Sequence, residues 1–225
     1  MKLFVVAILL SFIFPTWPTW PTWPTRTNLQ ATSGYKVEAI GALTETKVPE
    51  NTRQALEPKG LRVLGEKGEP FCEIWFSKSV PTGKGDVAGA NFGQFGEGAF
   101  IGVINFPANV IDYRSQGIKP GYYTLRYGLI LQDGNHLGVS VHRDFLLACP
   151  IAEDKDPAAQ LKLEDLYQLS RGSSGTGHPS VWSLVPVDSK EGLPKVIKDP
   201  SEHVILQTMV GNQAIGLVVV GKAES

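Results

Sequence analysis

The chain has 225 residues, 42% of them hydrophobic, with 24 Gly and 16 Pro. That is enough for one domain with a substantial core, and it argues against a mainly helical protein, in which so much Gly and Pro would interrupt the elements. The 21 basic and 22 acidic residues leave a formal charge of −1, so the positive surface that a nucleic-acid backbone demands is missing and nucleic acid is not an expected partner.

Lys2 precedes a 12-residue uncharged apolar run, residues 3–14. That length suits a signal-peptide core and falls short of the roughly 20 residues of a membrane span. Residues 15–26 repeat Pro-Thr-Trp three times, a composition that favours extended polyproline-like backbone. Ala31 offers a small residue for cleavage; cleavage nearer Thr16 would instead leave the repeat on the mature protein. The expected organisation is a signal peptide with its repeat over 1–31 and one domain over 32–225. No later stretch reaches membrane length, so the mature protein is expected to be soluble, exported, and periplasmic or extracellular.

The first expected strand is 35–43, where Tyr35, Val37 and Ala39 alternate with Lys36 and Glu38. Residues 47–58 suit a loop or one helical turn. Strands 61–64 and 71–76 flank the Gly-containing loop 65–69 and form a hairpin. Residues 81–98 hold six glycines, but their spacing matches neither GxGxxG nor GxxxxGK[ST], and a strand (99–106) follows instead of a helix, so a surface loop is expected rather than a phosphate cradle. The stretch 118–149 reads most plainly. Pro120-Gly121 turns the chain, Tyr123, Leu125, Tyr127, Leu129 and Leu131 alternate with Thr124, Arg126 and Gln132, and a second apolar strand ends at Cys149. This pattern predicts a half-buried antiparallel strand with Thr124 and Arg126 on its wet face.

Asp156-Pro157 reads as N-cap and first position of a helix over about 157–170, with Leu163, Leu166, Tyr167 and Leu169 as its stripe and Gly172 ending it. A loop (170–179) and a strand (181–187) follow. Strands 204–210 and 213–220, joined by Gly211-Asn212, form the closing hairpin. About nine strands and one helix predict an all-β fold. A two-layer antiparallel β-sandwich, Ig-like or jelly-roll-like, is the most economical packing, and an up-and-down barrel is the alternative.

Three sets of residues invite a chemical reading. Asp133, His136, His142 and Asp144 lie close enough in sequence to offer nitrogen and oxygen ligands to a divalent metal, although they lack the spacing of a helical site; an ion pair of Asp144 with Arg143 or Arg126 is the structural alternative. Trp75, Tyr122 and Arg126 could form an aromatic face that stacks on a sugar while the guanidinium holds hydroxyls, or could fill the core. Cys72 and Cys149 could form a disulfide, which export would permit, or remain two buried free thiols. Ser174 has no second glycine to complete GxSxG and follows a helix, so a serine-hydrolase elbow is not expected. No catalytic residue is assigned, and the sequence requires no cofactor.

The segments PGYYTLRY (120–127) and GNHLGVSVHRDFLLACP (134–150) resemble an uncharacterised family of exported bacterial β-sandwich proteins. The resemblance extends from about Gly34 to the C-terminus. It implies export and the sandwich, and it carries no functional residues. The expected function is a non-enzymatic exported binding or envelope-associated module, with a glycan or an envelope protein as partner. The alternative is a metal-dependent enzyme using the loop 133–144.

Overall fold

A computed structural model describes residues 34–83, 85–131 and 139–223. The expected signal peptide and Pro-Thr-Trp repeat lie outside the described residues. Among them, no helix is long and apolar enough to cross a membrane.

The fold is mostly β. Its strands are β1 (Lys36–Ile40), β2 (Gly60–Leu64), β3 (Pro70–Phe76), β4 (Phe100–Phe106), β5 (Val110–Ile111), β6 (Gly117–Ile118), β7 (Gly121–Leu129), β8 (Asp144–Pro150), β9 (Trp182–Val185), β10 (Lys195–Lys198), β11 (Val204–Val210) and β12 (Gln213–Val220). Ten of them form one continuous antiparallel sheet in the order β1-β2-β3-β4-β7-β8-β9-β12-β11-β10, while β5 and β6 make a separate small ribbon. The sheet curls so far that its two ends, β1 and β10, approach each other, which makes it nearly barrel-like. These end strands carry Lys36, Glu38, Lys195 and Lys198, charges that discourage pairing with another chain.

The alternation seen in the sequence sorts side chains between two faces. Tyr123, Leu125, Tyr127 and Leu129 of β7 join Ile74, Phe76, Ile104, Phe106, Leu146, Trp182 and Leu217 in the main core. Phe106 stacks on Trp182 with ring centroids 4.9 Å apart, and Phe95 meets Tyr127 edge-on at 5.6 Å. Gly102 lets β4 lie close to β3, because a Cβ there would stand 2.3 Å from the Trp75 carbonyl oxygen. The other face is covered as well. The helix α1 (Glu50–Ala55) and its flanks place Val48 and Leu56 over Trp75 and Val103, and the helix α2 (Leu163–Ser174) places Leu166 over Leu147 and Cys149.

Three expectations need correction. Thr124 and Arg126 are 1% and 0% exposed, so the second face of β7 is not wet. The strand ends at Leu129, and Leu131 lies beyond it, 42% exposed. The helix starts at Leu163 instead of following Asp156, and it runs through Gly172 to Ser174 before Gly175 caps it with φ 65°. Gly172 is inside the helix because it passes Pro150, whose Cγ would lie 3.2 Å from a Cβ at that position. Of the two alternatives open for the cysteines, the structure has the pair of buried free thiols. Cys72 on β3 points into the main core and Cys149 on β8 toward α2, with β4 and β7 between their strands, so no disulfide joins them.

Candidate functional site

The sequence-predicted sites resolve into structural devices when their hydrogen bonds are followed. Arg126 is fully enclosed. Its Nε and Nη2 donate to Asp154 Oδ2 and Oδ1, each at 2.7 Å. The remaining N–H groups donate to the carbonyl oxygens of Gly98 (2.9 Å), Asp156 (2.7 Å) and Ala159 (3.0 Å), and Thr124 Oγ1 donates to Asp154 Oδ2 at 2.6 Å. These donors tie the segment ahead of α2 to the sheet, and the Asp156 carbonyl also accepts from Ala159 N–H at 3.1 Å, which closes a turn there.

Trp75 is 4% exposed and donates Nε1–H to the Gly41 carbonyl at 2.9 Å; Tyr122 packs half-buried beside it. With Trp75 and Arg126 inside, the three residues do not form the expected aromatic binding face. They belong to the layer under α1 and the 150–162 segment.

Asp144 is also buried, and it is occupied. Its carboxylate accepts from the backbone N–H groups of Asn91 (2.8 Å) and Phe92 (3.0 Å) and from the Tyr127 hydroxyl (2.5 Å). Burial first, then this hydrogen bond, pushes the Tyr127 hydroxyl well above its ordinary range. The glycine-rich loop is therefore pinned to the sheet by one carboxylate on β8. His142 is exposed, while Asp133 and His136 lie outside the described residues. Among the described residues no three His, Cys, Asp or Glu side chains converge as a metal site needs.

A place for a ligand is found on the α2 side instead. A cavity of about 140 Å3 opens between α2 and the outer face of β8. Phe145, Leu147 and Val181, all buried, form its floor, and Ile130, Leu131 and Val139 form one wall. Tyr167 and Arg171 reach it from α2, where their i, i+4 spacing sets them on the same side of the helix. Arg114 enters from the turn between β5 and β6, and His178 and Pro179 from the segment before β9. Among the described residues no carboxylate lines the cavity, and neither Arg114 nor Arg171 has an ion-pair partner.

The turn that carries Arg114 is held firmly. The buried Asp112 carboxylate accepts from the N–H groups of Arg114 (3.0 Å), Gln116 (2.8 Å) and Val181 (2.9 Å) and from Gln116 Nε2 (2.8 Å). Tyr113 N–H donates to the Val181 carbonyl at 3.0 Å, and the Thr176 hydroxyl to Gln116 Oε1. Despite these donors, burial pushes the Asp112 carboxyl above its usual range. Ser174, once compared with a nucleophile, gives its hydroxyl to the His178 carbonyl at 2.5 Å and so helps hold this rim.

Comparison with known protein families, curated proteins and solved structures finds no match to this chain. Its chemistry is therefore argued from its own geometry. A cavity with an apolar floor and two arginines in its lining can seat a small molecule that is apolar at one end and anionic at the other. Sequence reasoning missed Arg114 and Arg171. The i, i+4 pair Tyr167 and Arg171 was a usable signal; Arg114 was not, because only the fold brings its turn to α2. A second hollow, of about 570 Å3 along Phe71, Ile111, Ile118 and Val220, is mainly apolar, and among the described residues Lys119 is the one charged group lining it.

Proposed function

We propose that this protein is a non-enzymatic exported binding module, envelope-associated in the bacterial cell, whose ligand enters the cavity beneath α2. The observation that carries the reading is that Arg114, half-buried, and Arg171, exposed, line one cavity with a buried apolar floor and have no ion-pair partner among the described residues. A guanidinium beside apolar surface and without a carboxylate partner is open to an anionic ligand. We also favour the barrel over the two-layer sandwich, since the ends of one ten-stranded sheet approach each other. Export, and kinship with the exported bacterial family, rest on the N-terminal apolar run and on the segments 120–127 and 134–150. The metal-enzyme reading receives no comparable support, because Asp144 already serves two backbone amides and a tyrosine.

The test is a thermal-shift screen of the mature protein against small acids, sugars and cell-wall fragments, repeated on Val139→Trp, which fills the cavity mouth. A ligand that stabilises the wild type and fails to stabilise the variant is the expected result. Equal stabilisation of both by every active compound would remove the cavity as the site.

A further inference from the structure

We infer that the ligand is a small oxyacid bearing one benzene-sized apolar group, with the acid at the arginine rim and the apolar group on the floor. This rests on the reading of the cavity as the ligand site. Two observations define the class.

The first is size. About 140 Å3 is close to the roughly 150 Å3 of a cavity lined by apolar side chains that takes up benzene. The floor of Phe145, Leu147 and Val181 is buried and offers no polar side-chain atom, so what sits there must be apolar and compact.

The second is charge. Half-buried Arg114 and the exposed Arg171 and His178 line the cavity from three different segments, and among the described residues no carboxylate accompanies them. A guanidinium binds an oxyanion with two parallel hydrogen bonds, a geometry that suits carboxylate, sulfonate and phosphonate alike. A neutral ligand of the same shape would leave both guanidinium groups without an anionic partner. The Asp112 network keeps the Arg114 turn in place, so little ordering remains to be done on binding.

Isothermal titration of the full mature chain with benzoate, phenylacetate, benzenesulfonate and phenylphosphonate, against benzyl alcohol as the neutral isostere, tests the inference. Arg114→Met, Arg171→Met and the double variant are titrated alongside, with circular dichroism to verify folding and Arg→Lys variants to separate charge from fork geometry. At least one acid should bind ten-fold or more tightly than benzyl alcohol, and each Met variant should weaken it by about ten-fold. The ranking of the three acid types identifies the head group. If benzyl alcohol binds as well as the acids, or the double variant binds them undiminished while Val139→Trp does not, the acid class is wrong and the cavity stands. If neither acids nor alcohol bind the folded wild type at millimolar concentration, the inference and the cavity reading fall together.

Discussion

Arg126 and Asp154 form a two-pronged ion pair, Nε to Oδ2 and Nη2 to Oδ1 both at 2.7 Å, with side-chain exposures of 0% and 3%. The pair links β7, at the middle of the sheet, to the irregular segment that covers it. Removing one partner strands a buried charge, so Asp154→Ala is expected to cost about 3–5 kcal/mol in urea unfolding. Arg126→Met combined with Asp154→Leu should cost clearly less than the two single changes summed. It will not return to wild type, because the Gly98, Asp156 and Ala159 carbonyls lose their donor. Strict additivity would mean that the pair is not coupled.

Asp144 ties the glycine-rich loop to β8 through Asn91 and Phe92. Asp144→Ala leaves two amides and the Tyr127 hydroxyl without their acceptor, and each buried orphan costs about 1–3 kcal/mol. Stability should fall by more than about 2 kcal/mol, with amide hydrogen exchange rising most in residues 87–95. A variant of unchanged stability that instead lost a bound divalent metal would bring back the metal reading of this residue.

Burial pushes the Cys72 and Cys149 thiols above their ordinary value of 9.0. In the native protein neither should react with a thiol reagent at pH 8, and both should react once urea unfolds the chain. The sign of the pH effect follows from linkage. Above pH 9 the unfolded chain loses these protons while the folded one keeps them, so folding is weakened as pH rises from about 9 toward the raised values. Each thiol contributes about 1.4 kcal/mol per pH unit. Cys72→Ala and Cys149→Ala should each flatten the fall in urea-measured stability between pH 9 and 10.5. An unaltered slope in both variants would show that other groups dominate, with Tyr127 the first to test.

Several features were legible from local pattern alone. Period-two alternation named Tyr123, Leu125, Tyr127 and Leu129 as one inward face, and Gly211-Asn212 named the closing hairpin. The helix boundaries were less legible. Asp156-Pro157 is a good local start signal and does make a turn, with the Asp156 side chain accepting from Ala158 N–H at 2.9 Å and its carbonyl from Ala159 N–H at 3.1 Å, but the segment is tied to Arg126, some 30 residues earlier, and α2 begins only at Leu163. Strand β10 is not legible in the sequence, because its Lys-flanked stretch of four residues has weak strand propensity. Pairing with β11 supplies what propensity lacks.

By itself, the sequence determined the antiparallel β character, the inward face of β7 and the Pro-Gly and Asn-Gly turns, because side-chain alternation and turn chemistry act between near neighbours. Only the tertiary structure decided that Arg126 is buried, that Asp144 holds a loop, that the cysteines stay apart, and that Arg114 and Arg171 line one cavity with an apolar floor. Those outcomes depend on which surfaces cover the outer face of the curled sheet. That is set by contacts between residues dozens of positions apart, which leave no local pattern in the chain.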